Sequence, residues 1–266
     1  PDKLEFKEVR RNILTRIKKL MNSNSDGLVM AKEALDRIIK NESKRFLTEK
    51  KEIIKVFEDL SWMILPVSEN PAAPAQGALA IETRSNDNKI LDVLDKINNK
   101  EVFHLVEKER EILKSYGGGC HQKIGVSYMN LKMGKSLSLR GETEQGKNLK
   151  ENSFIADEEY TDKSLKNIES YYPENKEDFS LFDRKVIDES SILLKEISNS
   201  GIYVTRGNAL NDVTVIDESN IIWTSGIKTW FTLSKKGLWI NGSSDSLGEL
   251  ESPPENLFED LKWYKL

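Results

Sequence analysis

A run with helical spacing from about Lys100 to Tyr116 stops at Gly117-Gly118-Gly119, and the next residue, Cys120, is the only cysteine of the chain. Three glycines end a helix because they reach backbone conformations closed to other side chains, and they let a ligand approach the main chain closely. A solitary cysteine forms no intramolecular disulfide, which fits a reducing compartment, so a cytoplasmic location is expected. With one Cys and two His, a Cys/His zinc site is nearly excluded and no metal is expected. A cysteine after a helix cap is ordinary by itself. A nucleophile needs a base within reach, and His121 is adjacent in sequence, where neighbours rarely face each other. A hydrolase triad is therefore not expected.

The 266 residues exceed the usual size of one domain. No apolar run approaches the roughly 20 residues that span a bilayer, and the start at Pro1-Asp2-Lys3 lacks the apolar core of a signal peptide. Without an initiator Met, the chain reads as a fragment or a processed piece. Short strands are expected at 4–9 and 28–30, with helices at 15–21, 32–40 and 43–60. Pro66, Pro71 and Pro74 interrupt any helix, and 78–82 reads as a buried strand. After the 100–116 helix, strands at 124–129 and 136–140 suit a small α+β domain. From about 147 to 200 the composition turns polar and acidic, with one amphipathic helix near 186–197. An α/β beat resumes with strands at 202–205, 221–223 and 238–240 around a helix over 227–236.

Two local patterns are set aside. Gly134-Lys135-Ser136 has the end of a phosphate-binding loop, but the required upstream glycine is Met129. Asn241-Gly242-Ser243 is a glycosylation sequon, which means little in a cytosolic chain. The first 20 residues are net basic, yet the whole chain is net acidic and no aromatics interleave with the arginines. A nucleic-acid partner is not expected, and neither is a membrane.

Three segments in order, Val9–Arg16, Ala73–Glu82 and Glu109–Gly125, resemble motifs of the porphobilinogen deaminase (hydroxymethylbilane synthase) family. Val9-Arg10-Arg11-Asn12-Ile13-Leu14-Thr15-Arg16 resembles its I-R-G-N-x-x-T-R. Ala73-Pro74-Ala75-Gln76-Gly77-Ala78-Leu79-Ala80-Ile81-Glu82 resembles A-P-G-Q-G-A-L-x-I-E. Glu109-Arg110 through Gly117-Gly118-Gly119-Cys120-His121-Gln122-Lys123-Ile124-Gly125 resembles E-R-x-x-L-x-x-L-E-G-G-C-x-x-P-I-G. The departures are Arg11 and Ala75 for glycines, Gly117 for a glutamate and Lys123 for a proline.

The resemblance implies a transferase of tetrapyrrole (haem) biosynthesis, condensing four porphobilinogen molecules into hydroxymethylbilane on a covalent dipyrromethane cofactor. It implies Cys120 as the tether, Arg10 and Arg16 as partners of the pyrrole carboxylates, Ala31 at a helix start facing the cofactor, and Gln76 and Gly77 in the segment crossing between lobes. Arginine suits that role because it binds carboxylate bidentately and stays charged when partly buried. The family's catalytic aspartate motif, K-D-x-P, is absent from these residues, so no catalytic residue is assigned and the chain alone is expected to be inactive.

The tail adds a second, weaker resemblance. Ile202-Tyr203-Val204-Thr205-Arg206 and the run from Ile222 to Trp230 resemble the opening of uroporphyrinogen-III synthases, with Thr224, Ser225 and Gly226 at a helix start where a substrate carboxylate would bind. A decorated extension of the deaminase is the equal alternative. The expected fold is α/β: a partial periplasmic-binding-protein-like lobe with a crossover strand (1–86), a cofactor-anchoring α+β domain (87–146), an acidic linker or insertion (147–200), and a partial α/β segment (201–266). The competing functional reading is a non-catalytic ligand-binding module of the same fold.

Overall fold

The structure, a computed structural model, describes residues 4–119, 121–131, 134–156, 194–210, 216–245 and 261–266. Two compact units emerge, Pro1–Ile64 with Ser191–Leu266, and Leu65–Ser190.

The first unit opens with three helices, α1 (Ile13–Met21), α2 (Lys32–Ile39) and α3 (Leu47–Phe57), the last preceded by a 3-10 turn at Lys44–Phe46. Asn12 starts α1 by accepting the Thr15 N–H on Oδ1 at 2.9 Å, satisfying one of the donors that a helix N-terminus leaves free. Ile17, Leu35, Ile38, Ile39 and Ile53 form the core between the helices, and burial of each such side chain contributes about 1.5–3 kcal/mol. The 43–60 segment is thus a 3-10 turn and a shorter helix rather than one continuous helix. Two expected strands are corrected here. Residues 4–9 form no ladder, and Leu4 and Phe6 are exposed. Residues 28–30 also form none: Leu28 and Met30 pack on the helical core while Val29 is exposed. Apolar side chains alone do not make a strand without a neighbour to take its N–H and C=O groups.

The second unit holds α4 (Asn88–Ile97), α5 (Lys100–Ser115) and an antiparallel sheet β1-β2-β3 made of β1 (Lys123–Leu131), β2 (Gly134–Glu142) and β3 (Asn148–Ala156). Ile124, Val126, Leu139 and Leu149 are buried against Ile112, Leu113 and Tyr116 of α5 and its C-terminus. β3 lies inside the stretch read as linker. Its pattern is hard to recognise because it is an edge strand with Leu149 as its one buried residue. α4 was not anticipated either, although Asp87 caps it through Ile90 N. The buried strand expected at 78–82 is absent: no ladder forms, and Leu79 and Ile81 are 97% and 63% exposed.

Close approach fixes one glycine. Val126 N donates to Ala72 O at 2.9 Å, laying residues 71–72 along the free edge of β1. A Cβ on Gly125 would stand 2.3 Å from Pro71 O and 3.1 Å from Pro71 C. Those are backbone atoms, so the segment itself must move. Gly125→Ala is expected to cost about 2–4 kcal/mol, from overpacking plus the weakened edge bond. Urea unfolding checks this, with Ser127→Ala on the same strand as control; an unchanged midpoint for Gly125→Ala would show that the edge yields freely.

The first unit closes with β4 (Gly201–Val204), β5 (Ile221–Thr224), α6 (Ile227–Ser234), β6 (Gly242–Ser243) and β7 (Trp263–Lys265), in an all-parallel sheet of order β6-β5-β4-β7. Ile202, Val204, Leu210, Ile222, Leu233 and Ile240 form its core. The strands at 202–205 and 221–223 and the helix at 227–236 are observed to within two residues. The 238–240 strand is not; pairing begins at Gly242, and β7 was unforeseen. The 186–197 helix lies mostly outside the described residues. Trp62 O accepts from Trp239 Nε1 at 2.9 Å and from Asn241 Nδ2 at 3.0 Å, while Ile64 N donates to Asn241 O at 2.7 Å. These bonds join the end of the helical segment to the tail.

Candidate functional site

Arg10 and Arg16 flank the start of α1. Arg10 is exposed and donates its Nε to Glu8 Oε1 at 2.9 Å. Arg16, partly buried on α1, donates Nε to Arg11 O at 2.7 Å. Each engages Nε, so the terminal guanidinium nitrogens are the ones with which a carboxylate would pair. Ala31 is the N-cap of α2, with no side-chain capping bond, so the N–H groups of that helix start meet no cap and form an anion-favouring end. α1 and α2 share one core; Arg16 stands on α1, Arg10 just before it, and Ala31 at the head of α2.

Arg11 occupies the position of a family glycine and has φ 121°; Ala75, the second such departure, has φ 65°. Both backbones keep the left-handed geometry that glycine adopts without strain. Arg11→Gly and Ala75→Gly are each expected to raise stability by about 0.5–1 kcal/mol, relief of strain outweighing the greater freedom of glycine in the unfolded chain. A lower urea midpoint in either variant would count against this.

In the second unit Gln76 and Gly77 are exposed in the turn after Ala75. Gln76 N donates to Ala73 O at 3.0 Å, Gln76 Oε1 accepts Ala73 N at 3.3 Å, and Ala78 N donates to Ala75 O at 3.2 Å. Gly77 has φ 91° with open space where a Cβ would stand. α5 ends in a Schellman cap: Gly117 N reaches Lys114 O at 3.0 Å and Gly118 N reaches Leu113 O at 3.2 Å. Gly117, Gly118 and Gly119 all have positive φ. Gln122 Nε2 donates to Tyr116 O at 2.6 Å, tying the far side of the loop to the helix end. Cys120 itself lies outside the described residues.

The tail residues have internal commitments. Thr224 is fully buried, with Oγ1 near Gly226 O and Gly242 O at 3.3 and 3.4 Å. Ser225 donates Oγ to Thr205 O at 2.7 Å and its N–H to Val204 O at 3.1 Å. Gly226 is the N-cap of α6.

One group was not singled out from the sequence. Glu109 Oε2 accepts Ala75 N at 2.8 Å and Oε1 accepts Tyr128 N at 3.0 Å. Its signal was legible: a carboxylate on the stripe of α5 that carries Ile112 and Leu113 into the core. Glu111, on the exposed side, instead pairs with Lys108 at 2.7 Å. The hydrogen bond and charge of Lys108 hold the Glu111 carboxyl below its ordinary range and raise the Lys108 ammonium in return. Among the described residues no group of three or more His, Cys, Asp or Glu is placed to hold a metal, and no helix is long and apolar enough to cross a membrane.

Residues 1–92 match the family model described as porphobilinogen deaminase, dipyromethane cofactor binding domain. The match holds Arg10, Arg16, Ala31, Gln76 and Gly77, and ends before Cys120. The porphobilinogen deaminase of Fusobacterium nucleatum subsp. nucleatum is 34% identical over 177 residues, covering 62% of this chain and 53% of that protein. That of a Wolbachia of Drosophila simulans is 34% identical over 164 residues, 60% of this chain and 48% of that protein. A probable porphobilinogen deaminase of Picrophilus torridus is 37% identical over 121 residues, 46% of this chain and 36% of that protein. The chain spans about half the length of the first two of these relatives and about a third of the last. Through these stretches the chain is similar to porphobilinogen deaminases, and its first third matches the model of their dipyrromethane-binding domain.

Proposed function

We propose that this chain is part of a porphobilinogen deaminase, holding a dipyrromethane through Cys120 and through the donors of its first unit. The observation that carries the reading is the donor set inside the matched 1–92 segment. Two arginines with terminal nitrogens to offer and an uncapped helix start at Ala31 suit a ligand whose pyrroles each bear an acetate and a propionate. When bound, the dipyrromethane supplies the nucleophilic pyrrole end from which the chain of porphobilinogen units grows. Arg10 and Arg16 bind and orient carboxylates; the Gln76–Gly77 turn offers exposed main chain that a ligand can approach; the glycines before Cys120 give the tether a loop of unusual backbone freedom. Acid–base work is assigned to none of these residues.

The all-parallel tail supports a further reading, the start of a uroporphyrinogen-III synthase, with the N–H groups at the head of α6 facing a carboxylate. The hydroxyls of Thr224 and Ser225 already serve backbone carbonyls, so main-chain donors would carry that contact. One experiment tests both readings. The full natural protein is incubated with porphobilinogen and the oxidised product is analysed by isomer. Uroporphyrin III without added synthase is expected. Isomer I alone keeps the deaminase and makes the tail an extension, and ligand binding without turnover makes the protein a binding module.

A further inference from the structure

We infer that Glu109 is the positioning residue that sets where the Gln76–Gly77 turn leaves the sheet, an inference that rests on the cofactor-binding role proposed for that turn. Residues 71–72 run along the edge of β1 and take the Val126 N–H at Ala72 O, 2.9 Å away. Two residues further along β1, the next outward N–H, that of Tyr128, is taken by Glu109 Oε1 at 3.0 Å. The chain has by then turned away, and Ala75 N at the start of that turn is held by Glu109 Oε2 at 2.8 Å. One carboxylate therefore ends the edge pairing and anchors the departing turn, with both its oxygens accepting main-chain N–H groups.

The geometry calls for a carboxylate. An amide has one acceptor oxygen, and its NH2 would face an N–H donor. A charged group on the inward stripe of α5 is tolerated because both oxygens are hydrogen-bonded. Ala75 adopts φ 65°, strained for a residue with a side chain, so the turn's shape is imposed by its surroundings, and Glu109 is the side chain bonded to that N–H. α5 is also the helix that ends in Gly117–Gly119, so the same rigid element anchors the turn and carries the loop that leads to Cys120.

The test follows dipyrromethane loading of the full natural apoprotein on incubation with porphobilinogen, read by intact mass. Glu109→Gln is compared with Glu111→Gln, which removes a charge from the exposed side of the same helix, and with Leu139→Val, a core variant that lowers stability without touching the turn. Glu109→Gln is expected to load about 10- to 100-fold more slowly, the scale of a misplaced binding element, with faster amide exchange at Ala75 and Tyr128. The two comparison variants are expected to load like the wild type. Loading by Glu109→Gln at the wild-type rate, or slowed only as far as Leu139→Val, overturns the inference alone. Failure of the wild type to load removes the proposed function and the inference with it. Should Glu109→Gln not fold, Glu109→Asp, whose shorter arm cannot span both N–H groups, carries the same comparison.

Discussion

Cys120→Ser is expected to remove a two-pyrrole adduct from the full natural protein and, with it, all turnover of porphobilinogen. A thiolate is a soft, strong nucleophile at neutral pH, whereas a serine hydroxyl needs an adjacent base to act at all. No other thiol in these residues could take over, because Cys120 is their only cysteine. Intact-mass spectrometry of wild type and variant decides the matter. An unmodified protein that turns over porphobilinogen normally would overturn the assignment of Cys120.

The second large effect is expected at Arg10 and Arg16. Arg10→Ala and Arg16→Ala should each impair dipyrromethane assembly or chain elongation while leaving folding nearly intact. Removing one partner from a desolvated arginine–carboxylate pair costs about 3–5 kcal/mol, or two orders of magnitude or more in rate. In the free protein Arg10 is exposed beside Glu8, so its loss should change stability by about 0.5 kcal/mol or less. Steady-state turnover and urea unfolding on the same preparations separate the two effects. Normal turnover in both variants would return these arginines to the role of surface residues.

The extent of the legible fold differs by element for a physical reason. α1 and α5 were readable because their start and stop signals are local: the Asn12 side chain on Thr15 N, the Asn99 side chain on Val102 N, and the glycines that close α5; α2 and α6, whose starts have no side-chain cap, were readable from their apolar spacing. The segments around Cys120, Arg10, Arg16 and Gln76–Gly77 stood out by their resemblance to family motifs, and the roles proposed for them rest on that resemblance. Arg11 and Ala75 stood out as departures, and the backbone explains their cost, since both keep positive φ. The inward place of Glu109 on α5 was legible, but its role went unassigned because its partners, Ala75 and Tyr128, are main-chain N–H groups that leave no mark in residue identity.

By itself, the sequence determined α1, α2, α5 and α6, the glycine cap before Cys120 and the likeness to porphobilinogen deaminases. Helical hydrogen bonds close within four residues, so caps and periodicity settle them locally. Only the tertiary structure decided which extended segments become strands. The apolar 78–82 segment finds no ladder, while the polar 148–156 segment pairs along β2. It alone gathers Pro1–Ile64 with Ser191–Leu266 into one compact unit, through partners such as Trp62 and Asn241. A ladder or a tertiary bond is made with whatever distant segment arrives beside it, and that choice is not written in either segment alone.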